Sequence, residues 1–160
     1  MPFNVSETIE IDRPAGDVWP YLIAFEQVPL WEHGVIEVRQ VTPGAPRVGT
    51  EMFARRLFAG RETNLGGAIT AYEDGRSATM TLRGGPVDET IVAWTVEPID
   101  GARSLVTFTA SVRIKGPLRL FSPILPAMGR VEARKNLAKL KRRIGAGIPP
   151  RSDSPTPPAR

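Results

Sequence analysis

The sequence has 160 residues and contains no cysteine and only one histidine, His33. Without cysteine there can be no disulfide bond, thiolate zinc site, iron–sulfur cluster or cysteine nucleophile. One histidine cannot build a multi-histidine metal site, and we expect neither a metal nor another cofactor. No serine lies in a Gly-x-Ser-x-Gly motif, which disfavours a serine hydrolase. These absences remove most catalytic machinery from consideration.

Long apolar runs are missing as well. The most apolar stretch, residues 121–128, is too short to cross a bilayer and contains Pro123 and Pro126. The first twelve residues alternate polar and apolar side chains and lack the apolar core of a signal peptide. We therefore expect a cytoplasmic protein.

The formal charge of +4 is unevenly distributed along the chain. Residues 1–129 hold 12 bases and 15 acids, a net charge of −3, so the excess of base lies in the C-terminal part. Seven of those bases fall within a predicted helix: Arg130, Arg134, Lys135, Lys139, Lys141, Arg142 and Arg143. A solvated helix face is the simplest interpretation of such a charge run.

Alternating apolar and polar residues predict seven strands. The clearest is 104–114, where five apolar residues share one face. The sequence Glu73-Asp74-Gly75-Arg76 is typical of a hairpin turn. The other predicted strands are 5–11, 35–41, 50–58, 63–72, 77–82 and 88–96. We interpret the pairs Gly66-Gly67 and Gly84-Gly85 as bulges or bends that let the sheet curve.

Helical patterns flank these strands. Two short helices are expected after the first strand, around Val18–Ile23 and residues 25–31. A long helix is predicted from Met128 to Ile144, broken or kinked before it by Pro123 and Pro126. Strands followed by a helix indicate an α+β fold. We expect one domain over residues 1–144 and a disordered proline-rich tail over 145–160.

Several segments resemble a known family. They are 25–35 (FEQVPLWEHGV), 48–53 (VGTEMF), 84–88 (GGPVD) continuing to Trp94, 116–118 (GPL) and 136–141 (NLAKLK). Together they resemble the polyketide cyclase/dehydrase branch of the START-related superfamily, often called SRPBCC. The resemblance implies a helix-grip fold, in which a curved seven-stranded antiparallel sheet wraps around the long C-terminal helix. It also implies an internal cavity for a lipid, sterol, polyketide or aromatic ligand.

Strand parity and the predicted helix suggest which side chains line such a cavity. Aromatic and methionine side chains suit an adaptable apolar pocket with a few polar groups, although ordinary core packing explains each of them equally well. We expect the ligand to contact Trp31, Phe53, Arg55, Tyr72, Met80, Trp94, Phe108, Leu125 and Met128. Ile124 and Val131 are further candidates on the helix.

Glu51 and Arg55 are the polar residues on the face of Phe53. If that face points inward, they form an internal ion pair or anchor a ligand; a slip of one residue would place both in solvent. In a cyclase, Arg55 could stabilise an enolate and Tyr72 could donate or orient a proton, with Glu51 as a further catalytic candidate.

Three functions therefore remain open. The favoured one is binding or transport of a small hydrophobic ligand, since no acid–base constellation stands out. The second is a polyketide aromatase/cyclase or dehydrase. The third is an interaction protein whose seven helix bases contact an anionic membrane or RNA. Nucleic-acid binding is not favoured, because no aromatic residue lies among those bases.

Overall fold

The computed structural model describes residues 2–58, 60–121 and 123–147, and its centre is one antiparallel sheet. Seven strands form it in the spatial order β1-β7-β6-β5-β4-β3-β2. Their bounds are Phe3–Ile11 (β1), Val35–Gln40 (β2), Glu51–Phe58 (β3), Arg61–Glu73 (β4), Ser77–Gly84 (β5), Val87–Pro98 (β6) and Ser104–Ile114 (β7). The predicted number of strands is confirmed.

Local sequence signals explain how these strands are joined and paired. The hairpin between β4 and β5 turns at Gly75, whose φ of 77° is a left-handed conformation that glycine adopts without strain. The alternating strand β7 pairs with β1 along its length, from Phe3 opposite Val112 to Ile11 opposite Ser104. Its apolar residues thereby join one continuous inner face.

Irregularities curve the sheet. The β4–β5 register shifts between Ile69 and Ala71, and the β5–β6 register shifts between Leu82 and Gly84. A Cβ atom on Gly67 would collide with the carbonyl group of Thr81, so only glycine allows this close approach of two strands. Gly84 lies at the β5–β6 register shift, which agrees with the predicted bulge, whereas Gly66 and Gly67 pair with β5 in regular register.

Two short helices follow β1. Helix α1 spans Ala15–Ile23, begins after Pro14 and buries Val18, Trp19 and Leu22. A 3-10 helix then covers Phe25–Leu30 and packs beside β2. Both were expected from the sequence, and both contribute side chains to the same hydrophobic core as the sheet.

The long helix α2 spans Leu125–Gly145, so it begins three residues earlier than predicted. Pro126 lies in its first turn, where a backbone N–H has no partner in any case, and the expected break at this proline was wrong. Ala133, Asn136, Leu137, Leu140 and Ile144 are buried along one side of the helix. Most of the predicted tail, residues 148–160, lies outside the described residues.

The sheet, α1, the 3-10 helix and α2 share one core. This arrangement confirms the predicted helix-grip architecture of class α+β. Within the described part of the chain, no helix has the length and apolar character needed to span a membrane.

Candidate ligand-binding site

The inner face of the sheet is defined by the strand register. Trp94 on β6 lies opposite Phe108 on β7, and Phe108 lies opposite Glu7 on β1. On the other side, Trp94 lies opposite Ala78 on β5. Because residues that are directly opposite point to the same face, these side chains form one row across the sheet. The apolar members of the row belong to the core or pack against it.

Strand β3 faces the opposite way from the sequence-based expectation. Met52 and Ala54 are buried on the inner face, whereas Phe53, Arg55 and Glu51 occupy the outer face. A shift of one residue moves every side chain of a strand to the other face. In β3 both faces carry apolar and charged residues, so the sequence pattern does not indicate which face points inward.

Contacts on the outer face account for Phe53 and Arg55. The guanidinium of Arg39 lies 4.6 Å from the centre of the Phe53 ring, a cation–π contact. Arg55 pairs with Glu37 at 3.4 Å, and Glu51 is exposed. The structure therefore corrects the placement of all three predicted site residues.

Four predicted residues lie on the inside. Trp31, Met80 and Trp94 are buried, and Phe108 is half-buried against the core. The rings of Trp94 and Phe108 are 6.0 Å apart and tilted by 55°, a favourable aromatic arrangement. The structure thus brings two of the predicted ligand contacts, Trp94 and Phe108, together.

Tyr72 lies near the end of β4 beside α1. Its hydroxyl donates a hydrogen bond to Oδ1 of Asp74 at 3.0 Å, and Nε1 of Trp19 donates to the same oxygen at 3.1 Å. Burial, followed by the hydrogen bond and the charge of Asp74, raises the pKa of Tyr72 to about 12. The Tyr72 hydroxyl is therefore neutral, and its proton is engaged in the hydrogen bond to Asp74.

The predicted residues on α2 separate. Leu125 is half-buried, but Met128, Ile124 and Val131 are exposed on the side of the helix opposite the buried one. The expectation that these three side chains line the cavity was wrong, because the helix buries the side that carries Leu137, Leu140 and Ile144.

Buried donors without acceptors are the unusual feature of the interior. Among the described residues, five buried side-chain atoms have no hydrogen-bond partner: Nε of Arg55 and of Arg56, Oγ of Ser104, and the indole Nε1 of Trp31 and of Trp94. The two tryptophans are only 2% and 5% exposed. A buried N–H that lacks an acceptor costs about 1–3 kcal/mol, so each is a place where a ligand oxygen would be stabilising.

A polar cluster that the sequence-based reasoning missed lies where the 3-10 helix, β3 and α2 meet. Burial raises the pKa of Glu32, the charge of Arg56 lowers it, and the charge of Glu132 raises it again. Arg56 shares strand parity with the buried Met52 and Ala54, which was the available signal. Asn136 on α2 holds this region in place by accepting a hydrogen bond from the backbone N–H of His33 at 3.0 Å.

A cavity of about 640 Å³ opens at the edge of the sheet formed by the β3–β4 and β5–β6 turns, and none of the nine residues predicted to contact a ligand lines it. Thr63, one of its lining residues, lies directly opposite Arg56 across β3 and β4. Its lining consists of Phe58, Arg61, Glu62, Thr63, Asn64, Gly85 and Pro86. A volume of this size falls in the usual range for small-molecule sites, roughly 300–1,000 Å³.

On the opposite side, helix α2 is tied to β1 by an ion pair. Arg134 lies 3.2 Å from Glu7, whose side chain is 13% exposed. Glu7 shares parity with Val5, Ile9 and Ile11, so its inward position was readable from the alternation of β1. No group of three or more metal-ligating side chains occurs among the residues for which the structure gives positions.

Comparison with known proteins agrees with this geometry. The structure is similar to that of the Zhui aromatase/cyclase from Streptomyces sp. R1128, with a TM-score of 0.76, 12% identity, and coverage of 93% of this chain and 97% of that chain. It is also similar to a START superfamily protein from Mycobacterium smegmatis, with a TM-score of 0.73, 17% identity, and coverage of 91% and 99%. At these identities the likeness shows the fold.

No sequence among the curated proteins matches this chain. A family model described as polyketide cyclase/dehydrase and lipid transport matches residues 2–145, which is nearly the whole described region. The sheet packed against the long C-terminal helix agrees with this match. The chain therefore belongs to the polyketide cyclase/dehydrase and lipid transport family.

Proposed function

We propose that the protein binds a small hydrophobic ligand carrying hydrogen-bond acceptors, such as an aromatic polyketide, between the sheet and α2. The observation that carries this proposal is the pair of buried, unpartnered indole N–H groups of Trp31 and Trp94 in an apolar interior. Carbonyl or phenolic oxygens on a flat ligand would satisfy these donors while its rings pack among apolar side chains.

The family description names both polyketide chemistry and lipid transport. Both activities require a protein that binds a small hydrophobic molecule. Arg56 lies on the inner side of β3, directly opposite Thr63 of the cavity lining. Arg56 and Arg55 are adjacent on one strand but point to opposite faces, which provides an internal control for any test of the site.

A matched pair of ligands tests the acceptor requirement. Anthraquinone and anthracene have the same three-ring outline, but only anthraquinone carries carbonyl oxygens. Binding is measured by quenching of tryptophan fluorescence, since all three tryptophans are buried. We expect anthraquinone to bind about tenfold more tightly, as one or two recovered hydrogen bonds require. Equal affinities, or no binding of either, would overturn the proposal.

Matched variants locate the contacts. Trp94→Phe removes the N–H but keeps an aromatic ring, so the preference for anthraquinone over anthracene should fall about fivefold. Using the ratio of the two affinities cancels any general loss of packing. Arg56→Met should weaken anthraquinone binding, whereas Arg55→Met on the outer face should leave it unchanged. The reverse result would mean that the inner face of β3 is not the binding face.

A second function, cyclisation, is favoured by the cluster of Glu32, Arg56 and Glu132. When ionised, Glu32 can take a proton from a CH₂ group between two ketones of a polyketide chain. The resulting carbanion attacks a ketone carbon further along the same chain, and a carbon–carbon bond forms. This bond closes the ring, and Glu32 returns the proton to the new alkoxide. Later loss of that hydroxyl with a hydrogen from the neighbouring carbon, as one water, leaves a carbon–carbon double bond in the ring. Arg56 would stabilise the negative oxygen during these steps.

Turnover of a linear poly-β-keto thioester distinguishes the enzyme from the carrier. An enzyme yields a product lighter by one water, and Glu32→Gln should abolish that product while Arg55→Met preserves it. Because the charge of Glu132 raises the pKa of Glu32, Glu132→Gln should move the acid limb of the pH–rate profile to lower pH. If the thioester binds but is not converted faster than without protein, the protein is a carrier.

A further inference from the structure

Helix α2 has a second apolar stripe that does not face the core. Ile124, immediately before the helix, is 58% exposed, Met128 is 63% exposed and Val131 is 52% exposed. These positions follow one another at intervals of four and three residues, so they lie on one side of the helix. Leu120, four residues earlier in the second 3-10 helix (Gly116–Phe121), is 81% exposed.

This stripe points away from the protein. At 100° per residue, Ile124, Met128 and Val131 lie about half a turn from the buried positions Leu137 and Leu140. No described residue covers them, and their exposure is not explained by core packing. A run of exposed large apolar side chains marks a surface that meets another apolar medium.

The same stripe becomes basic further along the helix. Continuing at helical spacing, it passes through Lys135, Lys139 and Arg142, all of which are exposed. Among the residues that the structure describes, none of these three bases forms an ion pair, unlike Arg134, which is paired with Glu7. One helix side therefore presents an apolar half followed by a half with three uncompensated positive charges.

The chain that leads to the stripe contacts a residue of the cavity lining. The backbone N–H of Lys115, just before the second 3-10 helix, donates to the carbonyl oxygen of Pro86 at 2.9 Å. Pro86 is also a lining residue of the 640 Å³ cavity. The segment that leads into the exposed stripe thus starts next to the cavity opening.

From this pattern we propose that the outer side of α2, defined as Ile124, Met128, Val131, Lys135, Lys139 and Arg142, docks on an anionic lipid bilayer. The apolar half would enter the boundary between headgroups and acyl chains, while the bases contact anionic headgroups. A second copy of the chain fits less well, because an antiparallel pairing of two such helices would set bases against apolar side chains. This docking goes beyond ligand binding and does not depend on it.

Vesicle sedimentation at low salt tests the docking. The protein should bind phosphatidylcholine vesicles in which about a third of the lipid is phosphatidylserine, and should not bind pure phosphatidylcholine. Replacing Lys135, Lys139 and Arg142 by Gln should weaken binding about 100-fold, as roughly fivefold for each base implies. The control replaces Arg13, Arg47 and Arg76 by Gln; it removes the same charge from other surfaces and should change binding less than about threefold.

A tryptophan placed on the apolar half reports insertion. All three native tryptophans are buried, so Met128→Trp introduces an exposed one whose emission should shift to the blue and be quenched by lipids brominated on their acyl chains. Leu57→Trp, on the outer face of β3, is the matched exposed control and should not respond.

Four results would overturn the proposal. Two concern vesicles: the protein does not bind anionic vesicles at low salt, or it binds both vesicle types equally. In the third, the Met128→Trp signal does not differ from that of Leu57→Trp. In the fourth, the protein self-associates without lipid and Met128→Ser abolishes that self-association. Retention on RNA that is unaffected by Ile124→Ser and Met128→Ser would likewise assign the bases to a different partner. Loss of vesicle binding in the base variant, with anthraquinone affinity unchanged, would support docking separately from ligand binding.

Discussion

At the scale of single residues, Glu32 is the side chain whose surroundings most oppose its charge. Burial is the largest cause of its raised pKa, the repulsion of Glu132 adds to it, and Arg56 compensates only in part. Since the folded protein favours the protonated carboxyl, Glu32 stabilises the fold fully only below its ordinary pKa of 4.5. That contribution is lost as the pH rises through the raised value.

We predict that Glu32→Gln increases the free energy of unfolding at neutral pH. The amide resembles the protonated acid in size and shape, so the variant and the original protein should be equally stable at pH values below about 4. Between that pH and neutrality the variant should become progressively more stable. Urea unfolding at several pH values measures the difference, and a difference that does not change with pH would contradict the assignment.

Tyr72 should make the stability of the protein depend on pH in the alkaline range. Its pKa is raised to about 12, so the stability it contributes is complete below the ordinary value of 10.0 and is lost as the pH rises through about 12. Tyr72→Phe should therefore lose less stability than the original protein between these pH values. Ultraviolet titration should show one phenolate transition fewer in the variant, in the highest pH range. If the missing transition lies near 10 instead, the hydrogen bond to Asp74 does not hold the proton.

At the scale of elements, two adjacent glycines on β4 have different roles. A Cβ on Gly67 would collide with the backbone of Thr81, whereas a Cβ on Gly66 would meet no atom within 4 Å. We predict that Gly67→Ala destabilises the protein by about 2–3 kcal/mol, because β4 and β5 must separate. Gly66→Ala should change stability by about 0.5 kcal/mol or less. Thermal and urea unfolding of both variants measure this, and equal effects would contradict the close approach.

The two sides of helix α2 lie in different environments, one in the core and one in solvent. Its buried side holds Leu137 and Leu140 against the sheet, while the opposite side carries the apolar and basic stripe. The basic residues were recognisable in the sequence. The exposed position of Met128 was not, because an apolar residue near a predicted cavity is expected to face it, and only the packing of the helix decides its direction.

At the scale of the whole molecule, a ligand that fills the interior should stabilise the fold. A ligand present at about 100 times its dissociation constant adds about 2.7 kcal/mol to the free energy of unfolding. For a chain of this size, we predict that saturating anthraquinone raises Tm by roughly 5–10 °C. Scanning calorimetry at increasing ligand concentration measures the rise, and the Trp94→Phe variant should show a smaller one. A Tm independent of concentration would contradict binding to the folded state.

Much of the molecule could be predicted from local patterns. The strict alternation of residues 104–114 predicted β7 with its observed bounds, and the turn residues around Gly75 predicted the hairpin. These predictions succeed because the period of a strand and the backbone freedom of glycine are local properties. The same holds for the residue types that are missing, since the lack of cysteine and the single histidine do not depend on folding.

The candidate site was predicted only in part. By itself, the sequence determined the element order and the set of aromatic residues available to a cavity, but alternation tells which residues share a face and not which face points inward. The tertiary structure decided that Arg56, not Arg55, lies on the inner side of β3. It also brought Glu32 and Glu132 into electrostatic contact across 100 positions of sequence. Such convergence depends on how separated elements pack, and no local pattern encodes it.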